Sequence, residues 1–308
     1  MTAARVRRAL MPVIALLILA AFWELYKAVV PDDGVSLSGS QILPRSDDAS
    51  MPHLSQVLSE FTEDEVTGGD TVLVAVANAM WYSLRMAFAG FVAGVVVGFL
   101  LALAMQRVRI VERALLPYVV LSQTVPLIAL APLVYGWGAN VSILGQDWKP
   151  WMSVSIISAY LAFFPVAIGA LRGLSSPTPV QQELLRSYAA PWWRTTLVLR
   201  LPSCVPYLIP SLRLAAAAAV VGGVVAEIST GRQGGIGRLI ISYAQQATGD
   251  PAKVYAPIIG AALMGLVAVA AISLLDLALR RYQPVTVSEA AVREPRIPAG
   301  TATAKVLS

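Results

Sequence analysis

The chain has 308 residues, of which 57% are hydrophobic and 13% charged, with a net charge of +5. A soluble domain carries about a quarter charged residues, so this balance excludes a water-soluble globular protein, and the scatter of the basic residues along the chain excludes a nucleic-acid partner. Its lone cysteine, Cys204, rules out an internal disulfide, and its lone histidine, His53, rules out a His-rich metal site.

The N-terminal stretch RVRRALMPVIALLILAAFWELYKAVV opens with Arg5, Arg7 and Arg8 and is uncharged from Ala9 to Trp23. A cleaved signal peptide has the same charge-then-apolar order. We take the stretch as a retained transmembrane helix over about residues 9–30, forming an N-terminal unit of 1–30. Trp23 and Tyr26 suit the far interface, where Glu24 and Lys27 can snorkel.

Residues 31–80 begin in a different material. From Asp32 to Asp70 the acids greatly outnumber the single Arg45, with Gly, Ser and Pro throughout. The spacing of those acids matches no cation-binding loop. The segment is therefore expected to be solvated and extracytoplasmic, with a short helix around PHLSQVLSEF.

Five further apolar runs follow, at about 81–105, 114–137, 151–172, 204–228 and 253–279. Each is near the ~20 residues that cross a bilayer. The expected fold is thus an all-α polytopic membrane protein with about six transmembrane helices, its main domain covering 81–283. Gly90, Gly94 and Gly98 make two overlapping GxxxG steps, which allow close helix approach. Pro117, Pro126 and Pro132 predict a kinked or partly unwound third span.

Positive charge sets the orientation. Arg5, Arg7 and Arg8, then Arg107, Arg109 and Arg113, then Arg172, Arg186, Arg194 and Arg200, and finally Arg280, Arg281, Arg293, Arg296 and Lys305 fall on one side. Only Lys27, Arg45, Arg85, Lys149, Arg232, Arg238 and Lys253 fall on the other. Both termini and the 173–203 loop are therefore expected in the cytoplasm. The tail 284–308 has no apolar period and is expected to be disordered.

The loop between the fourth and fifth spans, ELLRSYAAPWWRTTLVLRLPSCVP in its central part, does not look like a simple turn. Pro179 is a good first helical residue. Leu184, Leu185 and Tyr188 fall within about one turn, and Glu183 lies near the positive end of the helix dipole. WWRTTLVLRLP reads as a second short helix entering the membrane at Leu201 and Pro202. On residue chemistry two readings stand: an amphipathic pair resting on lipid, or a knob that docks a soluble partner.

The loop resembles that of permease subunits of binding-protein-dependent ABC importers, whose pattern is E-A-A-x-x-x-G followed by I-x-L-P. Glu183 stands at the first position, Leu199, Leu201 and Pro202 at the closing ones, and Pro202 falls nineteen residues after Glu183 as that pattern requires. Leu184 and Leu185 replace the two alanines, and Ala189 replaces the glycine, which implies a negative φ there. PSLRLAAAAAVVGGVVAEI, GGIGRLIISYA, LLDLALRRY and SQTVPLIALAPLVYGWG are similar to the subgroup that moves nitrate, sulfonates, taurine and thiamine-precursor pyrimidines. The likeness covers about residues 80–283.

The resemblance implies a homodimeric permease working with a separate ATPase subunit and an extracytoplasmic solute-binding protein, and it implies that 179–202 are coupling helices. Glu183, Arg186, Tyr188, Ala189, Trp192, Leu201 and Pro202 are then the candidate ATPase-coupling residues, with Glu183 and Arg186 as polar contacts and Tyr188 and Trp192 as anchors. No Gly-rich phosphate loop occurs in the chain, so ATP would be bound by the partner and no cofactor is expected here. Ser122, Gln123, Thr124 and Pro126 are candidates to line a solute path, against a reading as interhelical hydrogen bonds.

Glu227 is a functional candidate at membrane depth, against a helix-end carboxylate paired with Arg232. Asp276 is expected to pair with Arg280 four residues on, and Arg213 to snorkel. A membrane-embedded enzyme is the rival class, but the spans hold no histidine and no nucleophile–base constellation. A passive channel would leave the loop unexplained. Neither a metal nor a catalytic residue is expected.

Overall fold

The computed structural model describes residues 3–37, 40–66, 68–138, 140–143 and 145–279. Arg280 and the tail 284–308 fall outside these. The chain runs α1 (Ala3–Val29), β1 (Val35–Leu37), β2 (Ser40–Leu43), α2 (Leu54–Ser59), α3 (Val72–Arg107), α4 (Arg109–Leu121) and α5 (Leu127–Gly138). After the two-residue strands β3 (Ser142–Ile143) and β4 (Gln146–Asp147) come α6 (Pro150–Leu174), α7 (Pro179–Ser187), α8 (Trp192–Thr195), α9 (Leu201–Thr230), α10 (Ile236–Gln246) and α11 (Tyr255–Leu279).

The fold is all-α, its strands confined to two small antiparallel pairs outside the long helices. Among the described residues, α3, α6, α8 joined to α9, and α11 are long and apolar enough to cross a membrane. The pair α4–α5, bent by 101°, makes a fifth span if its two parts are counted together. Helix α1 has 27 residues, about 40 Å at 1.5 Å per residue, and exposes an apolar surface from Met11 to Val29.

Helix α6 is the hub, packing α3 on one side and α9 on the other. It is buried over 61% of its apolar window, whereas α11 is buried over 11%, which puts α11 at the periphery. The contact between α3 and α6 depends on small residues. A Cβ at Gly94 would stand 2.7 Å from the Ala159 carbonyl oxygen and 2.8 Å from the Ala162 Cβ, and Gly90 and Gly98 meet the Ser155 and Phe163 carbonyls in the same way. Gly173 of α6 likewise faces Cys204 of α9. In lipid, where apolar burial drives association little, such close approach supplies dispersion contacts.

The acidic segment departs from expectation: it is folded onto the end of α1. The Lys27 ammonium donates to the Asp48 carboxylate (2.5 Å), the Met51 carbonyl (2.6 Å) and the Ser46 carbonyl (3.1 Å), using all three of its protons. This ammonium holds the Asp48 carboxyl below its usual range. The Glu24 carboxylate accepts from the Leu54 N–H at 2.8 Å and pairs with His53 Nδ1 at 2.9 Å, and the Trp23 indole donates to the Pro52 carbonyl. Lys27 and Glu24 do not snorkel, because the segment offers them partners that lipid headgroups would otherwise supply.

The far side of this layer meets α10 and α11. Tyr243 donates to the Glu65 carboxylate, Lys253 donates to the Glu65 carbonyl at 2.9 Å, and Trp23 packs edge-on against Tyr255. Glu60 is only 7% exposed, beside Glu63 and Asp250, and burial pushes its carboxyl up to about 7. A carboxyl raised above its unfolded value of 4.5 binds more protons folded than unfolded between those two values, so folding weakens as pH rises through that window. Glu60→Gln is expected to remove this part of the pH dependence between about pH 4.5 and 7, as read by thermal unfolding at stepped pH. Gly94→Ala is expected to lower stability by about 1–3 kcal/mol through overpacking, while Gly136→Ala, whose Cβ meets nothing within 4 Å, serves as the near-neutral control.

Candidate coupling loop and solute-path residues

Helix α7 is delimited by its own sequence. Thr178 caps it, its Oγ1 accepting from the Gln181 N–H while the Gln181 side chain accepts from the Thr178 N–H at 2.9 Å, and Pro179 occupies the first turn. At the other end the Ala189 N–H bonds to the Arg186 carbonyl (2.9 Å) and the Ala190 N–H to the Leu185 carbonyl (3.1 Å). That pairing is a Schellman stop, which needs a left-handed residue at the position of Ala189.

Ala189 has φ +50°, the only positive value at a non-glycine among the described residues. The negative φ expected of an alanine here is therefore corrected. The two closing hydrogen bonds, and the entry of Pro191 just after them, hold the left-handed turn although its Cβ costs roughly 1–2 kcal/mol.

The capped helix presents Val180, Leu184 and Tyr188, 74%, 57% and 76% exposed, at four-residue spacing along one side. The side chains of Glu183 and Arg186 are exposed and make no hydrogen bond or ion pair among the described residues. Trp192 is placed differently: the Arg107 guanidinium, at the end of α3, lies 4.4 Å from its ring centre. Trp193, which sequence reasoning passed over, is the freer of the two indoles at 59% exposure.

Beyond it, Thr196–Arg200 form a turn of π-helix, with the Leu201 N–H reaching back to the Thr196 carbonyl. This wider turn stands directly before Pro202, which has no N–H to continue the ladder. Leu201 and Pro202 thus start α9. Below them Cys204, Met105, Ala170 and Leu174 belong to a buried cluster that joins the start of α9 to the ends of α3 and α6 on either side of the loop.

The proline-broken segment takes its turn at Ser122–Thr124, with Val125 extended before Pro126. The Ser122 hydroxyl donates to the Val119 carbonyl and the Thr124 hydroxyl to the Leu121 carbonyl, at 2.7 and 2.8 Å, and Tyr160 donates to the Ser122 carbonyl. The two hydroxyls bond carbonyls of the turn before them, and Tyr160 of α6 ties the break to a neighbouring helix. Gln123 is exposed.

Glu227 is elsewhere, fully buried near the end of α9. Its carboxylate accepts from the Ser83 hydroxyl (2.7 Å) and from the Gly237 N–H (2.9 Å), and Ser83 in turn accepts from the Ile236 N–H at 2.8 Å. A carboxylate and a hydroxyl thus satisfy the first amides of α10, where the helix dipole also favours negative charge. Gly235 lies against the carboxylate, where a Cβ would clash. The expected pairing of Glu227 with Arg232 does not hold, since Arg232 instead donates to the Tyr82 hydroxyl.

Ser83 was not among the candidate residues. Its one signal is position, seven residues before Gly90 on the small-residue face of α3. Arg213 departs from expectation, pairing with Asp276 across α9 and α11 at 2.8 Å; the expected Asp276–Arg280 pair lies outside the described residues.

The family model for the binding-protein-dependent transport system inner membrane component matches residues 94–283. The chain belongs to that family. It is 30% identical over 269 residues to the formylaminopyrimidine transport permease protein of Halalkalibacterium halodurans, covering 87% of this chain and 94% of the relative. It is 30% identical to the riboflavin transport system permease protein of Chloroflexus aurantiacus over 43% of this chain and 46% of that one. The putative aliphatic sulfonates transport permease protein of Bacillus subtilis is 28% identical over 65% and 68% of the two chains.

The chain is accordingly a multi-pass permease of the binding-protein-dependent ABC importer family. The first 93 residues, including the folded acidic layer, lie outside the matched family model. Ala189→Gly is expected to raise stability by about 1 kcal/mol by removing the Cβ from the left-handed turn; a thermal midpoint that falls would show that the alanine is not strained.

Proposed function

We propose that this permease forms the solute path of an ATP-driven importer and takes its driving motion through α7 from a separate ATPase subunit. The observation that carries this is the exposed row Val180, Leu184 and Tyr188 on a helix stopped at both ends, in a loop between α6 and α9, whose ends at Leu174 and Cys204 are packed together with Met105. Apolar side chains left open on a rigid helix are suited to a partner's groove. Glu183 and Arg186 flank the row as polar contacts, and Trp193 adds an aromatic beside it.

The loop faces the cytoplasm and the acidic layer the opposite side, in keeping with the excess of arginine around the loop. Helix α1 is retained as a sixth span, and its far end carries the acidic layer. Two copies of the permease work with two ATPase chains and a solute-binding protein on the outer side, so closure of the ATPases rocks the two bundles. The named relatives point to a small organic cargo, such as a thiamine-precursor pyrimidine or a sulfonate.

Co-purification of the chain with the ATPase encoded beside its gene tests the coupling. Glu183→Lys and Tyr188→Ala are each expected to weaken association at least tenfold and to stop uptake in cells. Association and uptake that both persist in the two variants would sink the coupling assignment.

A further inference from the structure

At the end of the bundle opposite α7, two arginines converge without an acid between them. Arg85 of α3 and Arg232, just after α9, lie 5.9 and 5.6 Å from the ring centre of the same tyrosine, Tyr82. Neither has a carboxylate within ion-pair distance among the described residues. The field of Glu227 reaches Arg232, but that carboxylate is occupied by Ser83 and Gly237.

Arg232 donates to the Tyr82 hydroxyl, yet its Nε is buried with no partner. Arg85 has no hydrogen-bond partner among the described residues and leans on the Trp81 and Tyr82 rings. Two like charges are thus held near one ring, with free donors directed by planar guanidinium groups. Such donors suit a carboxylate, sulfonate or phosphate, which they bind through paired hydrogen bonds.

The space around them has two parts that meet at Arg85. One is a cleft of about 430 Å³ lined by Tyr82, Arg85, Trp151 and Arg232, within the ~300–1,000 Å³ usual for small-molecule sites. The other is an apolar chamber of about 280 Å³ between α3, α9 and α11, lined by Trp81, Phe88, Phe91 and Ile272 among others. A charged mouth beside an aromatic and aliphatic chamber fits a molecule with an anionic head and an apolar body.

We propose that this cleft binds the anionic head of a small amphipathic molecule, with Arg85 and Arg232 as the head-binding donors and the Trp81–Phe88 chamber holding the body. The ligand is either the imported solute or an anionic lipid, since both carry this chemistry. As a solute site, it rests on the reading of the chain as the solute-path subunit.

The test uses the full chain in nanodiscs of phosphatidylcholine, titrated calorimetrically with p-toluenesulfonate and with its neutral amide. The sulfonate is expected to bind and the amide not to bind. Arg85→Gln and Arg232→Gln should each weaken the sulfonate tenfold or more, while the lysine variants at both positions, which keep the charge, recover part of it. Sulfonate silence together with arginine-dependent retention of phosphatidylglycerol assigns the site to lipid. Equal binding of sulfonate and amide, indifference of both ligands to the glutamine variants, or binding of neither anion overturns the proposal. No ATPase is present, so Glu183→Lys leaves this binding intact even as it uncouples transport, and the two readings fail separately.

Discussion

The architecture depends on how closely α6 is approached by its two neighbours. Gly94 admits the Ala159 carbonyl and Gly173 admits the backbone of Cys204, so three helix axes come together with little side chain between them. Lipid is as apolar as any leucine, so helices gain little by hiding leucines from it; what they gain is contact density. Because α3, α6 and α9 form one tightly packed unit, a displacement applied at one end of it can be delivered at the other. The α7 loop is anchored at one end of this unit and the Glu227 clamp at the opposite end.

Several of the buried polar groups in the bundle are matched with one another, as burial away from water favours. The clamp of Glu227, Ser83 and the start of α10 satisfies a carboxylate and two amides together. Arg213 and Asp276 tie α9 to the otherwise loosely held α11. The 101° break at Ser122–Pro126 is bridged by its own hydroxyls and by Tyr160. Other buried groups lack a partner among the described residues, the Nε atoms of Arg200, Arg213 and Arg232 among them; that of Arg232 stands beside Arg85 at an open cleft, which marks a site open to something from outside the chain.

The acidic layer shows how charge at a helix end can organise a segment rich in turn residues. Lys27 and Glu24 stand in the last turns of α1, and each gathers partners from residues 46–54. Once drawn in, the layer covers α10 and the start of α11 through Glu65. It therefore joins the first helix to the part of the fold that the family model describes, with α10 itself held by the Glu227 clamp.

Much of this was legible in the chain. Apolar runs of about twenty residues disclose spans because the bilayer demands that length, the GxxxG steps disclose the α3 face, and the Glu183-to-Pro202 spacing discloses the loop through its resemblance to the family pattern. The acidic layer was misjudged because composition reports solvation and not partners: nothing in 31–70 says that Lys27 lies opposite. Ala189 was misjudged because an intrinsic preference of about 1–2 kcal/mol was outweighed by a Schellman closure that only the folded loop assembles. Sequence by itself determined which stretches are long and apolar enough to cross a membrane and which short helix joins two of them, since both are local properties of hydropathy and spacing. Tertiary structure decided which charges meet: Glu227 with Ser83, Arg213 with Asp276, and Arg85 with Arg232 around Tyr82. Those pairings join residues far apart in the chain, and distance in space is settled only when the helices pack.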